Sequence, residues 1–236
     1  MPETPSDVRV VEAGPYGHRV IDHDWPHEAR ACRNVQKTLT THVNTVDDLP
    51  PVRWLGGVDI GFEDGGNTTR AAAVVLNAQT LEVVDTALAR VPTRMPYIPG
   101  LLSFREIPGA LAALEQLATL PDLILVDGHG IAHPRRLGVA THLGLVTGLP
   151  TIGVAKKRLT GSHAEVPDKR GAWVELTDRG ETIGAVLRSR VGVKPIFISP
   201  GHRIGLASAL SFTMSALTRY RLPETTRVAD KLASNR

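Results

Sequence analysis

Hydrophobic positions in the first half of the chain come in short, turn-bounded runs. "RWLGGVDIGF" (53–62) predicts a strand ending around Asp59, followed by a turn in "EDGGNTTR" at Asp64-Gly65-Gly66. "AAAVVLN" and "LEVVDTALARV" predict two more strands separated only by "AQT". Three strands with links this short predict an antiparallel meander. The proline-rich "PTRMPYIPG" cannot continue a sheet.

At "LLSFREIPGALAALEQLATL" the period changes. Leu111, Leu114, Leu117 and Ala118 recur at spacings of three and four, which predicts a helix with Pro108 near its start or at a kink. "LILVD" (123–127) then predicts a fourth strand, "RRLGVATHLGLVTG" a helix ending at Gly148, and "PTIGVAKKRL" a fifth strand. "AWVELTDRGETIGAVLRSR" predicts a hairpin turning at Asp178-Arg179-Gly180. "KPIFISPGHRIGLASALSFTMSALTRY" predicts a strand, a Pro-Gly turn and a helix, and "RLPETTRVADKLAS" closes the chain. A meander followed by strand–helix–strand predicts an α/β fold with one mixed sheet, parallel additions beside the antiparallel strands, and flanking helices. Residues 1–22 show no period and are expected to be an N-terminal extension with little fixed structure, leaving 23–236 as a single domain. "DWPHEARACRNVQKTLTTHV" predicts a helix with Pro26 near its first turn.

Composition adds bounds. A chain of 236 residues, 42% hydrophobic and 22% charged, can bury a substantial core, and 22 glycines with 17 prolines suit a turn-rich mixed fold. The single cysteine excludes an internal disulfide framework and a cysteine-based zinc site. No apolar run approaches the roughly 20 residues that span a bilayer, and "MPETPSDVRV" is not built as a signal peptide, so the expected location is the cytoplasm. A net charge of +3 permits a local basic face for nucleic acid without establishing one.

The candidate chemistry is carboxylate chemistry. Asp59 and Asp127 each end an apolar strand and precede apolar or glycine backbone; as neighbours in a mixed sheet they would bring two hard oxygen donors together, suited to Mg²⁺. Glu106, near a helix start, is the candidate third acid. Two metals about 4 Å apart would then serve phosphodiester hydrolysis. Any one of these acids alone reads equally as a turn or helix cap; the combination is more specific. His133, six residues after Asp127, reads either as a satisfied polar residue or as a group reaching a phosphate, and His129 reads as a turn residue. Arg135 and Arg136 on the following helix, with Lys157, either face solvent or track a phosphate backbone. Lys156 is placed to neutralise charge on a cleaved phosphate, or is one of a solvated Lys-Lys-Arg run. Tyr97, between prolines, either packs under its loop or stacks on a base.

"GVDIGF", "MPYIPGLLSFRE", "VDGHGIAHPRRLG" and "PTIGVAKKRL", in that order and spacing, resemble the endonuclease V family from about residue 50 to residue 230. The resemblance implies an RNase H-like fold and Mg²⁺-dependent cleavage, with Mn²⁺ able to substitute. The cut would fall at the second phosphodiester 3′ to inosine, the product of adenine deamination, leaving 3′-hydroxyl and 5′-phosphate ends. It implies that Asp59 and Asp127 hold metal, with Glu106 the third catalytic acid and His133 and Lys156 near the scissile phosphate and base pocket. Pro96, Tyr97, Ile98 and Pro99 match the strand-separating wedge; Gly128, Gly130, Gly153 and Leu159 fall in segments resembling the lesion-base pocket. Asp230 matches a C-terminal position near the metal site. The partner implied is deoxyinosine-containing DNA, with inosine in single-stranded RNA as the alternative, and a monomer is expected. An actin-like phosphotransferase is disfavoured, because that fold needs two such domains and Phe62 stands where Ser or Thr would follow the first Asp-x-Gly.

Overall fold

The computed structural model describes residues 8–234. That part of the chain opens with an antiparallel ribbon of β1 (Val8–Val11) and β2 (Val20–His23), contrary to the expectation of an extension with little fixed structure. Four-residue strands are too short to show a period. The ribbon is held by burial of Val20, Ile21 and His23, and His23 joins a buried hydrogen-bonded chain. Its Nδ1 lies 2.5 Å from the Asp24 carbonyl, so that nitrogen carries the proton. His23 Nε2 then accepts from His142 Nε2 at 2.7 Å, and His142 Nδ1 accepts from the Ser103 hydroxyl at 2.9 Å. Residues 1–7 of the expected extension lie outside the described residues.

Helix α1 (Ala29–Leu39) starts after Pro26, at Glu28 as N-cap. The meander follows as β3 (Trp54–Glu63), β4 (Thr68–Asn77) and β5 (Val83–Pro92), with β3 running four residues past Asp59. Then come α2 (Leu102–Leu114), β6 (Leu123–Asp127), α3 (Val139–Thr147) and β7 (Thr151–Ala155). Pro108 falls inside α2, which deprives the Phe104 carbonyl of its usual helical donor. Gly148 ends α3 in the left-handed conformation, φ 71°. The hairpin of β8 (Trp173–Asp178) and β9 (Glu181–Leu187) turns where the sequence places it. β10 (Ile196–His202) runs through Pro200-Gly201 as a bulge where a turn was expected, and α4 (Leu206–Ser215) and α5 (Glu224–Ala233) complete the chain.

The strands form one eight-stranded mixed sheet in the order β5-β4-β3-β6-β7-β10-β9-β8. β3, β6 and β7 are parallel neighbours at its centre, and every other pairing is antiparallel. This is an RNase H-like α/β fold. β4 explains its own composition: Ala71, Ala73 and Val75 face α2, while Val74 and Leu76 face Ala229 of α5, so both faces are buried. The opposite half of the sheet packs Ile152, Val154 and Ile198 against Leu210 of α4. Among the described residues, no helix is long and apolar enough to cross a membrane.

Candidate active site

The parallel register of β3 and β6 pairs Leu55 with Leu123 through Val58 with Val126. Asp59 and Asp127 each follow the last pair by one residue, so the two acids meet at adjacent strand ends. α5 lies across β3 and brings Asp230 to them. Carboxylate oxygens of Asp59, Asp127 and Asp230 all lie within 4.8 Å of one another. Lys156, just beyond β7, donates from Nζ to Asp127 Oδ2.

Glu106 is placed differently from the expectation of a third ligand at a helix start. It is the fifth residue of α2 and is not in the group of three. Burial, with the charges of Asp59 and Asp127 behind it, pushes its carboxyl up to about 8. Asp59 is raised to about 7, by burial first and then by the charges of Asp127 and Asp230; the Ile60 backbone N–H and Lys156 oppose this. For Lys156, burial disfavours the ammonium, but the bond to Asp127 and the surrounding carboxylates outweigh it and raise its pKa. Three crowded acids facing one ammonium carry uncompensated negative charge on hard oxygen donors. That donor set could hold a metal ion.

Beside the acids lies a cavity of about 140 Å³, lined by Tyr97, Gly100, Ser103, Gly128, His133 and Leu159, among others. A Cβ on Gly128 would meet Val139 Cγ1 at 2.3 Å, so glycine lets Val139 close against this part of the wall. Gly130 and Gly153, expected in the pocket, are not among the lining residues. A Cβ on Gly130 would meet the Pro200 carbonyl at 2.0 Å, and one on Gly153 the Gly130 nitrogen at 2.2 Å. Both are close-approach glycines between strand ends. His133 is buried in the cavity wall, not among the acids; its Nδ1 accepts from the Arg135 N–H at 3.1 Å. Burial, with Arg135 and His129 nearby, lowers it to about 4.

Tyr97 is 64% exposed, which overturns the reading of a ring packed under its own loop. Pro96 and Pro99 are also exposed, Ile98 is half-buried, and the preceding Met95 is buried as an anchor. At the loop's far end Gly100 adopts φ 78°, and its carbonyl accepts from Gln36 Nε2 at 3.0 Å and Arg135 Nη2 at 2.6 Å. Gln36 had no sequence signal, since a glutamine on an amphipathic helix reads as solvated.

The arginines also differ from expectation. Arg135 and Arg136 lie in the loop before α3, not on it, because α3 begins at Val139. Arg136 pairs with Asp178 and Glu181, each at 2.9 Å, so its charge is committed within the fold. Lys157 is exposed. A separate cavity of about 480 Å³ under the ribbon, lined by Tyr16, Trp25 and Glu115, holds none of the clustered acids.

Buried histidines give a testable pH dependence. Burial lowers His202 to about 4, aided by Arg203 and opposed by Asp48. Its unfolded value is near 6.5, so the unfolded state binds the extra proton below that pH. The stabilising contribution is therefore complete above about 6.5 and is lost as pH falls toward 4. His202→Asn is expected to flatten the acid-side loss of stability by about 1 kcal/mol per pH unit. Urea unfolding from pH 7.5 to 5 checks this, and parallel curves for variant and parent would refute it.

A parallel-centred RNase H-like sheet that gathers three carboxylates and a lysine at its strand ends, beside a small glycine-walled cavity, defines a nuclease that hydrolyses phosphodiesters. The family model for endonuclease V matches residues 37–231. The endonuclease V of Azotobacter vinelandii is 58% identical over 213 residues, covering 90% of this chain and 96% of its own. The crystal structure of the Streptomyces avermitilis endonuclease V superposes with a TM-score of 0.85 at 46% identity, covering 89% of this chain and 93% of that one. Endonuclease V of Ciona intestinalis, solved with DNA containing an inosine followed by a ribo-adenosine, gives a TM-score of 0.76 at 27% identity over 87% of this chain and 95% of its own. The chain belongs to the endonuclease V family.

Proposed function

We propose that this endonuclease recognises inosine in DNA and hydrolyses the second phosphodiester on its 3′ side, leaving 3′-hydroxyl and 5′-phosphate ends. The observation that carries the reading is the carboxylate group of Asp59, Asp127 and Asp230, set beside the cavity that Gly128 lines. Asp59, Asp127 and Asp230 would hold Mg²⁺, with Mn²⁺ as a substitute. Such a cation supplies Lewis-acid activation of water and neutralises charge on the cleaved phosphate. Lys156 contributes a fixed positive charge at the same phosphate. Glu106, on α2 behind the group, is raised to about 8 by burial and by the charges of Asp59 and Asp127, and serves as the third catalytic acid of the proposed site.

Inosine pairs imperfectly, which lowers the few kcal/mol needed to rotate the nucleotide out of the stack. The exposed Tyr97 ring on its proline-stiffened loop fills the gap left by the base. A wall of glycine backbone can read the flat edge of hypoxanthine closely and exclude the guanine amine. Lys157, exposed past β7, and Arg135 at the loop's base are the candidate backbone contacts.

The relative solved with an inosine followed by a ribonucleotide favours a second reading, in which the preferred strand has ribose at the cut. End-labelled strands carrying one inosine, as DNA, RNA and a chimaera with a single ribonucleotide after the inosine, test both with Mg²⁺ present. The expected result is one cut at the second phosphodiester 3′ to inosine and none in the matched adenine strand. Equal cutting of inosine and adenine strands would sink the proposal. Tyr97→Ala is expected to weaken binding to the inosine duplex by roughly tenfold, from the ~1–3 kcal/mol of base–aromatic stacking. An unchanged affinity in a fluorescence-anisotropy titration would count against the wedge.

A further inference from the structure

Asp59 and Asp127 are aimed by strand register, whereas Asp230 rides on a helix and depends on how α5 is seated. Residues 57, 59 and 61 share one face of β3 by two-residue alternation. On that face glycines flank the acid. A Cβ on Gly57 would lie 2.3 Å from the Thr225 carbonyl oxygen, and one on Gly61 2.7 Å from that of Ala233. Both obstacles are backbone of α5, so neither moves aside without moving the helix. Non-bonded contacts relax only near 3.5 Å, so a methyl at Gly57 would displace α5 by roughly 1 Å.

A clasp holds the far end. Arg70 sits on β4 directly opposite Gly61 and is buried. Its Nη1 bonds Glu63 Oε1 at 2.8 Å, while Nε and Nη2 donate to the Leu232 carbonyl at 3.3 and 3.0 Å. Leu232 lies in the last turn of α5, where the helix dipole favours a cation. The helix is thus drawn onto the sheet at both ends of the stretch that carries Asp230.

We infer that Gly57, Gly61 and Arg70 are positioning residues that seat α5 so that Asp230 completes the carboxylate group with Asp59 and Asp127. The inference rests on the proposed reading of that group as a metal site. It separates two jobs of the "GGVDIG" segment: the acid binds, and the glycines decide whether a third acid can join it.

The test uses full-length protein carrying Gly57→Ala, Arg70→Met or Asp230→Asn. Mn²⁺ binding is measured by calorimetry and by the metal-induced shift in Tm, and affinity for an inosine duplex is measured without metal. Gly57→Ala and Arg70→Met are expected to weaken Mn²⁺ binding by about tenfold, with cleavage recovering as Mn²⁺ is raised. Duplex affinity without metal should stay within about twofold of the parent, and Gly57→Ala should add little once Asp230→Asn is present. Should Gly57→Ala fail to fold, Arg70→Met carries the test alone. Weakened Mn²⁺ binding in Asp230→Asn beside parental binding in the two seating variants, even with a lowered Tm, would overturn the inference. Parental binding in Asp230→Asn would overturn instead the metal reading beneath it.

Discussion

Replacing Asp59 with asparagine is expected to lower cleavage of an inosine duplex by about 10³-fold or more, or about 4 kcal/mol of transition-state stabilisation. Asparagine keeps the size and shape of the side chain, so β3 and its contacts with α5 should survive. What is lost is one of three anionic oxygen donors that lie within 4.8 Å of one another. Binding of the lesion should change little, because the cavity beside Tyr97 and Gly128 is built from other residues. Asp127→Asn should lose activity similarly and also releases Lys156 from its partner. Single-turnover cleavage, paired with a metal-free gel shift, separates chemistry from binding. A variant that nicks at the parental rate would dispose of the site assignment. One that loses duplex binding in step with activity would show that the acids hold the substrate instead of acting on it.

How far the sequence reveals this site depends on which element carries each residue. Asp59 and Asp127 stand out because a run of apolar strand residues leaves no surface role for an acid at its end, and parallel pairing of β3 with β6 does the rest. Asp230 gives no such signal in its own surroundings: in "TTRVAD" only the family resemblance marks it as a position near the metal site. The missing information was in the glycines on either side of Asp59, whose lack of a side chain marks where another backbone passes. Glu106 misleads in the opposite direction. A glutamate near a helix start suggests a dipole-favoured surface acid, yet α2 sets it half-buried behind Asp59 and Asp127, where desolvation and their charges raise it to about 8. "VDGHG" and "PTIGVA" resemble pocket segments in composition, but only coordinates separate Gly128, which lines the cavity, from Gly130 and Gly153, which let strands and loop close up. Arg136 shows the limit of reading charge locally, since its partners Asp178 and Glu181 are 42 and 45 residues further along the chain.

Lys156→Met is expected to cut the cleavage rate by about 10²-fold, the scale for losing one preorganised charge at a developing anion. Methionine keeps much of the aliphatic stem, so the change is mainly electrostatic. The sign of its effect on metal binding sets it apart from the acid variants. Lys156 opposes the raised proton affinity of Asp59 and neutralises Asp127, so its removal leaves the site as a whole more negative, although Asp59 then holds its proton more firmly. Affinity for Mn²⁺ should therefore hold or tighten while cleavage falls, whereas Asp59→Asn should weaken both. Calorimetric Mn²⁺ titration beside single-turnover kinetics reads the two quantities independently. Weaker Mn²⁺ binding in Lys156→Met would mean that the lysine's work is to arrange Asp127 and not to meet the phosphate. Arginine is not expected to rescue the loss, because a planar guanidinium cannot take the place of a compact ammonium held between Asp127 and the cleft.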